Sequence, residues 1–192
     1  MKTLNIVILM VFIYLSQYLN KLNNKDMKKI CFLMSLLLIT SAFANDDIET
    51  FNQLKKLAGK WVGTLNGSDG NSKTINLSYS IKSNGSALLE ESNEAGVEMM
   101  TIFNLHNDKI LSTHYCGAMN RPVSELHEND KGKITFITDQ PRSGLDKKKD
   151  FFVESWKFNL MPENEDTFIY SYVVNTAGGK DIIQTAEMKR VK

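Results

Sequence analysis

Thr74-Ile75-Asn76-Leu77-Ser78-Tyr79-Ser80-Ile81 decides how this chain folds. Apolar side chains stand at every odd position and polar ones at every even position. Successive side chains of a strand point to opposite faces, so this period of two predicts a strand with one buried face. Val97, Met99, Thr101, Phe103 and Leu105 repeat the pattern, as do Phe168, Tyr170, Tyr172 and Val174. Shorter runs of the same kind occur at 60–66, 86–91, 109–116, 122–128, 133–138, 151–160 and 181–191. About ten strands follow from these signals.

The intervals between them carry turn chemistry. Ser83-Asn84-Gly85, His106-Asn107-Asp108 and Ala177-Gly178-Gly179 place Asn, Asp and Gly where the chain must reverse. Most intervals suit hairpins between antiparallel neighbours. Residues 139–150, with Pro141, Gly144 and Lys147-Lys148-Lys149, read as a mobile loop whose lysines are solvated charge. Before the strands, 46–58 is a helix. Phe51, Leu54 and Leu57-Ala58 recur at helical spacing, Asp46 or Asp47 offers a cap, and Gly59 stops it. The expected fold is all-β: an antiparallel up-and-down β-barrel of about 8–10 strands with a short N-terminal helix. Closure removes the exposed sheet edges that invite aggregation. A barrel of this size is either filled by its own side chains or holds one small ligand.

Met27-Lys28-Lys29, the apolar run Ile30 to Thr40, and Ser41-Ala42-Phe43-Ala44 form the three parts of a secretory signal in order. The run is shorter than the ~20 residues a membrane-spanning helix needs. The expected mature domain is 45–192, cut after Ala44 and periplasmic or secreted. Residues 1–26 hold a second apolar run, Leu4 to Leu15. They read as an upstream extension before a start at Met27, or as a second apolar segment able to anchor the chain.

The mature domain has 148 residues, 18 basic and 21 acidic side chains. It is long enough to bury roughly 70% of its unfolded surface without disulfides or metals. Its weakly acidic balance argues against nucleic acid, which needs a clustered basic surface. The whole chain is 42% hydrophobic with three Pro, which argues against disorder. Cys31 lies in the signal, so Cys116 is the only cysteine left and no disulfide framework exists.

Gly59-Lys60-Trp61, after a helix and opening the first strand, resembles the G-x-W start of calycin-type barrels, the lipocalin superfamily. The resemblance implies that Trp61 closes the barrel base and that a basic residue of the last strand, here Arg190, lies across it as a cation–π contact. Thr113-His114-Tyr115-Cys116 followed by Asn120-Arg121-Pro122 resembles a bacterial lipocalin-like family of unknown function. Its motif runs T-H-Y-C and then G-N-Q-P, and here Met119 and Arg121 replace the Gly and Gln. This likeness covers 51–191 and implies the fold but no activity. Nitrobindin-like barrels, distant relatives by architecture, bind haem through a His. Their fuller signature is absent and no cofactor is assigned. With no C-x-x-C-H, any haem on His114 would be non-covalent.

His114 and Cys116, two residues apart on a strand, share a face. Catalysis by that pair needs hydrogen-bond contact, and the sequence names no third residue to orient it. His106, His114, His127 and Cys116 show no metal-ligand spacing. The leading expectation is therefore an exported, non-enzymatic carrier or sensor of a small hydrophobic or amphiphilic molecule. The expected pocket residues are His114, Cys116, Tyr79, Phe103 and Arg121, with Arg121 meeting an anionic head group. A thiol enzyme using Cys116 and His114 is one alternative. An envelope protein-interaction module with a filled barrel is the other. Ligand identity, oligomeric state and start codon stay open.

Overall fold

The computed structural model describes residues 46–161 and 163–192. The expected signal segment 27–44, the expected cut site and residues 1–26 lie outside the described residues. The element order is α1 (Asp46–Lys55), β1 (Gly59–Gly67), β2 (Ser72–Lys82), β3 (Ala87–Glu94), β4 (Val97–His106), β5 (Lys109–Tyr115) and β6 (Val123–Asp130). Then come β7 (Lys133–Thr138), α2 (Gln140–Ser143), β8 (Phe151–Leu160), β9 (Thr167–Thr176) and β10 (Ile182–Arg190). Each strand pairs antiparallel with the next, and β1 pairs with β10, so ten strands close into an up-and-down barrel. Among the described residues no helix is long and apolar enough to cross a membrane.

Local chemistry explains the short connections. Ala95-Gly96, Asn107-Asp108 and Lys131-Gly132 each join two strands with both residues at positive φ. That is the backbone of a type I′ turn, whose twist matches the strands it links. In β8 a bulge between Val153 and Ser155 shifts the alternation. It buries Phe152 and Val153 together and still brings Trp156 and Phe158 to the interior.

One end of the barrel is sealed. Trp61 donates from Nε1 to the Leu57 carbonyl at 2.7 Å, which ties the chain after α1 to the start of β1. The Arg190 guanidinium lies 4.2 Å from the Trp61 ring centroid and donates to the carbonyls of Ala58, Lys56 and Glu165. Phe51 and Leu54 of α1 are fully buried against this end. Asp47, in the first turn of α1, reaches across to β5. Its carboxylate accepts from the Ile110 backbone N–H at 2.9 Å and from Lys109, anchoring α1 to β5.

The segment 139–150 is tied down rather than free. Asp139 caps α2 by accepting from the Arg142 N–H. Asn175 donates to the carbonyls of Lys147 and Asp150. Lys147 pairs with Glu154, so it is not merely solvated.

Met119, at the tip between β5 and β6, sits at φ +59 and is 97% exposed. A side chain other than Gly there strains the backbone by about 1–2 kcal/mol. Met119→Gly removes that strain and no packing, but adds unfolded-state entropy worth about 0.5–1 kcal/mol. The expected net is a gain of up to about 1 kcal/mol in chemical denaturation. A variant less stable than the parent would show that the loop is held by Met119 itself.

Candidate functional site

The interior divides into two halves. The half next to α1 is filled. Phe158 meets Phe103, Phe136, Phe168 and Tyr170 with ring centroids 5.5–6.5 Å apart, mostly edge to face. The other half is hollow and opens between the β1–β2, β3–β4, β5–β6 and β9–β10 connections. It holds a cavity of about 530 Å³. Its wall is apolar and aromatic, from Met99, Trp156, Tyr172 and Val174. Such a volume lies within the ~300–1,000 Å³ usual for small-molecule sites.

A row of polar side chains lies between the halves. Tyr79 on β2, Glu90 on β3, Thr101 on β4 and His114 on β5 are successive cross-strand partners. All four are at most 4% exposed. Cross-strand partners on one face stand close enough for side-chain contact, and here every neighbour is hydrogen-bonded. Tyr79 donates its hydroxyl to Glu90. Thr101 donates to Glu90 Oε1 at 3.0 Å and meets His114 Nδ1 at 2.9 Å. Tyr170 reaches Glu90 from the opposite wall at 3.5 Å. Burial pushes the Glu90 carboxyl up to about 7, partly opposed by the bonds from Tyr79 and Thr101. Burial pushes His114 down to about 4, so its ring is neutral at physiological pH.

Nearer the mouth, Glu94 lines the cavity and is 6% exposed. It pairs with Lys73 at 2.6 Å and accepts from the Tyr172 hydroxyl at 2.8 Å. Gln184, also lining it and 8% exposed, has an amide oxygen without a hydrogen-bond partner. Buried polar atoms are rarely left so.

His114 and Cys116 both reach this cavity. Tyr79 and Phe103 do not line it: they stand beneath its floor, in the polar row and the filled half. Arg121 is exposed and outside the lining, because the turn after Cys116 carries it away from the mouth. Asn120 donates to the Phe151 carbonyl at 2.7 Å, so it pins the β5–β6 connection to the start of β8. The Pro122 carbonyl accepts from the His114 N–H.

Among the described residues the net environment of Cys116 does not activate its thiol. His114 spends Nδ1 on Thr101, and no hydrogen bond joins it to Cys116 among the described residues. Burial pushes the Cys116 thiol up, against the smaller opposing pull of the Ala118 and Gly117 backbone. A reactive thiol needs the reverse shift. Among the described residues no three His, Cys, Asp or Glu side chains are grouped to hold a metal.

Glu90, Glu94 and Gln184 are absent from the sequence-predicted site. For Glu90 and Glu94 a signal existed: both share the parity of buried Leu88 on β3.

No protein-family model matches the sequence, and no curated protein matches it. Among solved structures, a redesigned β-barrel is similar over 72% of this chain and 94% of its own, at 10% identity and a TM-score of 0.37. EF1p2_mFAP2b bound to DFHBI is similar over 74% of this chain and 99% of its own, at 9% identity and a TM-score of 0.37.

Proposed function

We propose that the hollow half of the barrel binds one small, mostly apolar molecule, and that the chain is an exported, non-enzymatic carrier or sensor. The observation that carries the reading is the cavity of about 530 Å³ beside a half packed solid. A space this large, walled by aromatics and edged by a few convergent polar groups, has the make-up of a ligand site. Binding energy comes from apolar burial at about 25 cal/mol per Å². The sequence features of the leader and the T-H-Y-C and N-x-P stretches support export and a lipocalin-like origin.

Val174 lines the cavity and is buried on β9. Val174→Trp adds a ring at the wall of the hollow. Calorimetric titration with naphthalene is expected to show saturable binding to the parent and at least about a tenfold weaker affinity in the variant, about 1.4 kcal/mol. Circular dichroism should be unchanged. Equal affinity in both proteins would place any binding elsewhere.

A further inference from the structure

We infer that the cavity prefers a flat apolar molecule carrying a hydrogen-bond donor, such as a phenol or an indole or amide N–H, over a carboxylate amphiphile, and that His114 receives the donor. The inference rests on the cavity being a ligand site, and it names the chemistry of the occupant.

Proton bookkeeping along the polar row leads to it. Thr101 has one hydroxyl proton. Its oxygen lies 3.0 Å from Glu90 Oε1 and 2.9 Å from His114 Nδ1. With Glu90 ionised, that proton goes to the carboxylate, because a carboxylate only accepts. The Thr101 oxygen then accepts from His114, so Nδ1 carries the ring proton. A neutral imidazole has one donor nitrogen and one acceptor nitrogen, so Nε2 holds a bare lone pair. His114 lines the cavity, and among the described residues Nε2 has no hydrogen-bond partner.

The lining carboxylates agree in sign. The Glu94 carboxylate is a second acceptor, and the donors that meet it, Lys73 and Tyr172, are already committed. The Gln184 amide carries both a donor and an acceptor and discriminates neither way. An anionic head group entering here meets Glu94 and Asp69, with Lys73 as the one lining cation. Arg121, the residue that would favour a carboxylate, is outside the lining. The walls suit a flat ring: Trp156 stands edge to face with His114 at 5.0 Å, and Tyr170 and Tyr172 follow around the barrel at 6.0 Å.

Protonating Glu90 reverses the row. Its carboxyl then donates to Thr101, the Thr101 hydroxyl turns to Nδ1, and Nε2 becomes a donor. Glu90 is faced by Tyr79 from β2, Thr101 from β4 and Tyr170 from β9, with Glu94 farther along its own strand. Of these the Glu90 carboxyl titrates near neutrality. Preference for a donor-bearing ligand is thus expected to weaken as pH falls through 7.

Naphthalene, 2-naphthol and 2-naphthoate test the idea, since they differ only in the polar group. Titrated at pH 8, 2-naphthol is expected to bind about three- to tenfold tighter than naphthalene, the worth of one net hydrogen bond. 2-Naphthoate is expected to bind more weakly than naphthalene. At pH 6 the naphthol advantage shrinks. In His114→Phe the advantage is lost while naphthalene still binds. In Thr101→Val, which keeps the imidazole but cuts its link to Glu90, any remaining advantage no longer varies between pH 6 and 8. 2-Naphthoate binding as tightly as 2-naphthol, or naphthalene binding with no naphthol advantage, overturns the inference and leaves the ligand site standing. Failure of naphthalene to bind overturns both.

Discussion

Phe158→Ala is expected to cost about 3–5 kcal/mol and to lower the melting temperature by roughly 10–15 °C. Phe158 is 1% exposed and meets four aromatic rings on three other strands: Phe103 of β4, Phe136 of β7, and Phe168 and Tyr170 of β9. Removing it deletes the transfer energy of a whole ring. It also leaves a void that a closed barrel cannot collapse, because each wall strand is hydrogen-bonded on both sides. Phe151, on the same strand but 51% exposed at the mouth, is the control. Phe151→Ala should change stability by no more than about 0.5 kcal/mol. Urea denaturation of the two variants reads the difference. Similar costs would mean that the half next to α1 is packed no better than the rim, and that the contrast with the hollow half is unfounded.

The architecture was legible because it follows from alternation, which is a local signal. All ten strand intervals correspond to strands, and Trp61 and Arg190 do meet at the base. The turn Ala95-Gly96 gave less warning, since Ala is not a turn former and adopts positive φ there only because the type I′ hairpin demands it. The tied segment 139–150 reads as free because part of its restraint, Asn175 on Lys147 and Asp150, comes from 25 or more residues away.

The site was legible only in part. His114 and Cys116 reach the cavity, because same-face placement on one strand is again local. Which bulky residues fill the barrel and which line it depends on height along the axis. Phe103 and Met99 share a face of β4, yet only Met99 lines the hollow. Height is set by strand stagger around the closed wall, a property of all ten registers at once. Glu90 and Glu94 do not read as site residues in the sequence, because charge ordinarily marks an outward face. Their parity with Leu88 outweighs that rule, and the hydroxyls of Tyr79, Thr101 and Tyr172 make their burial tolerable.

The same buried row predicts a stability profile with two opposed slopes. Glu90 keeps its proton up to about pH 7 in the fold, against an ordinary value of 4.5. Between those values the folded state holds a proton that the unfolded chain has released. Stability from this group is complete below pH 4.5 and is lost as pH rises through 7, a total of about 3 kcal/mol. His114 acts in the opposite sense, with a folded value of about 4 against an ordinary 6.5. There the unfolded chain takes up a proton that the fold refuses, so stability is complete above pH 6.5 and is lost, again by about 3 kcal/mol, as pH falls to 4. From pH 4.5 to 6.5 the slopes cancel, and these two groups together leave the parent flat. Glu90→Gln keeps hydrogen-bonding capacity toward Tyr79 and Thr101 while removing the titration. It should unmask the His114 slope, with stability climbing steadily from pH 4 to 6.5. His114→Asn should unmask the Glu90 slope, with stability declining from pH 4.5 to 7. Urea midpoints measured at half-unit intervals, taken as differences from the parent, isolate each slope from the surface carboxylates common to all three proteins. Parallel profiles for parent and Glu90→Gln would show that the carboxyl titrates normally, and the proton relay to His114 would lose its basis near neutral pH.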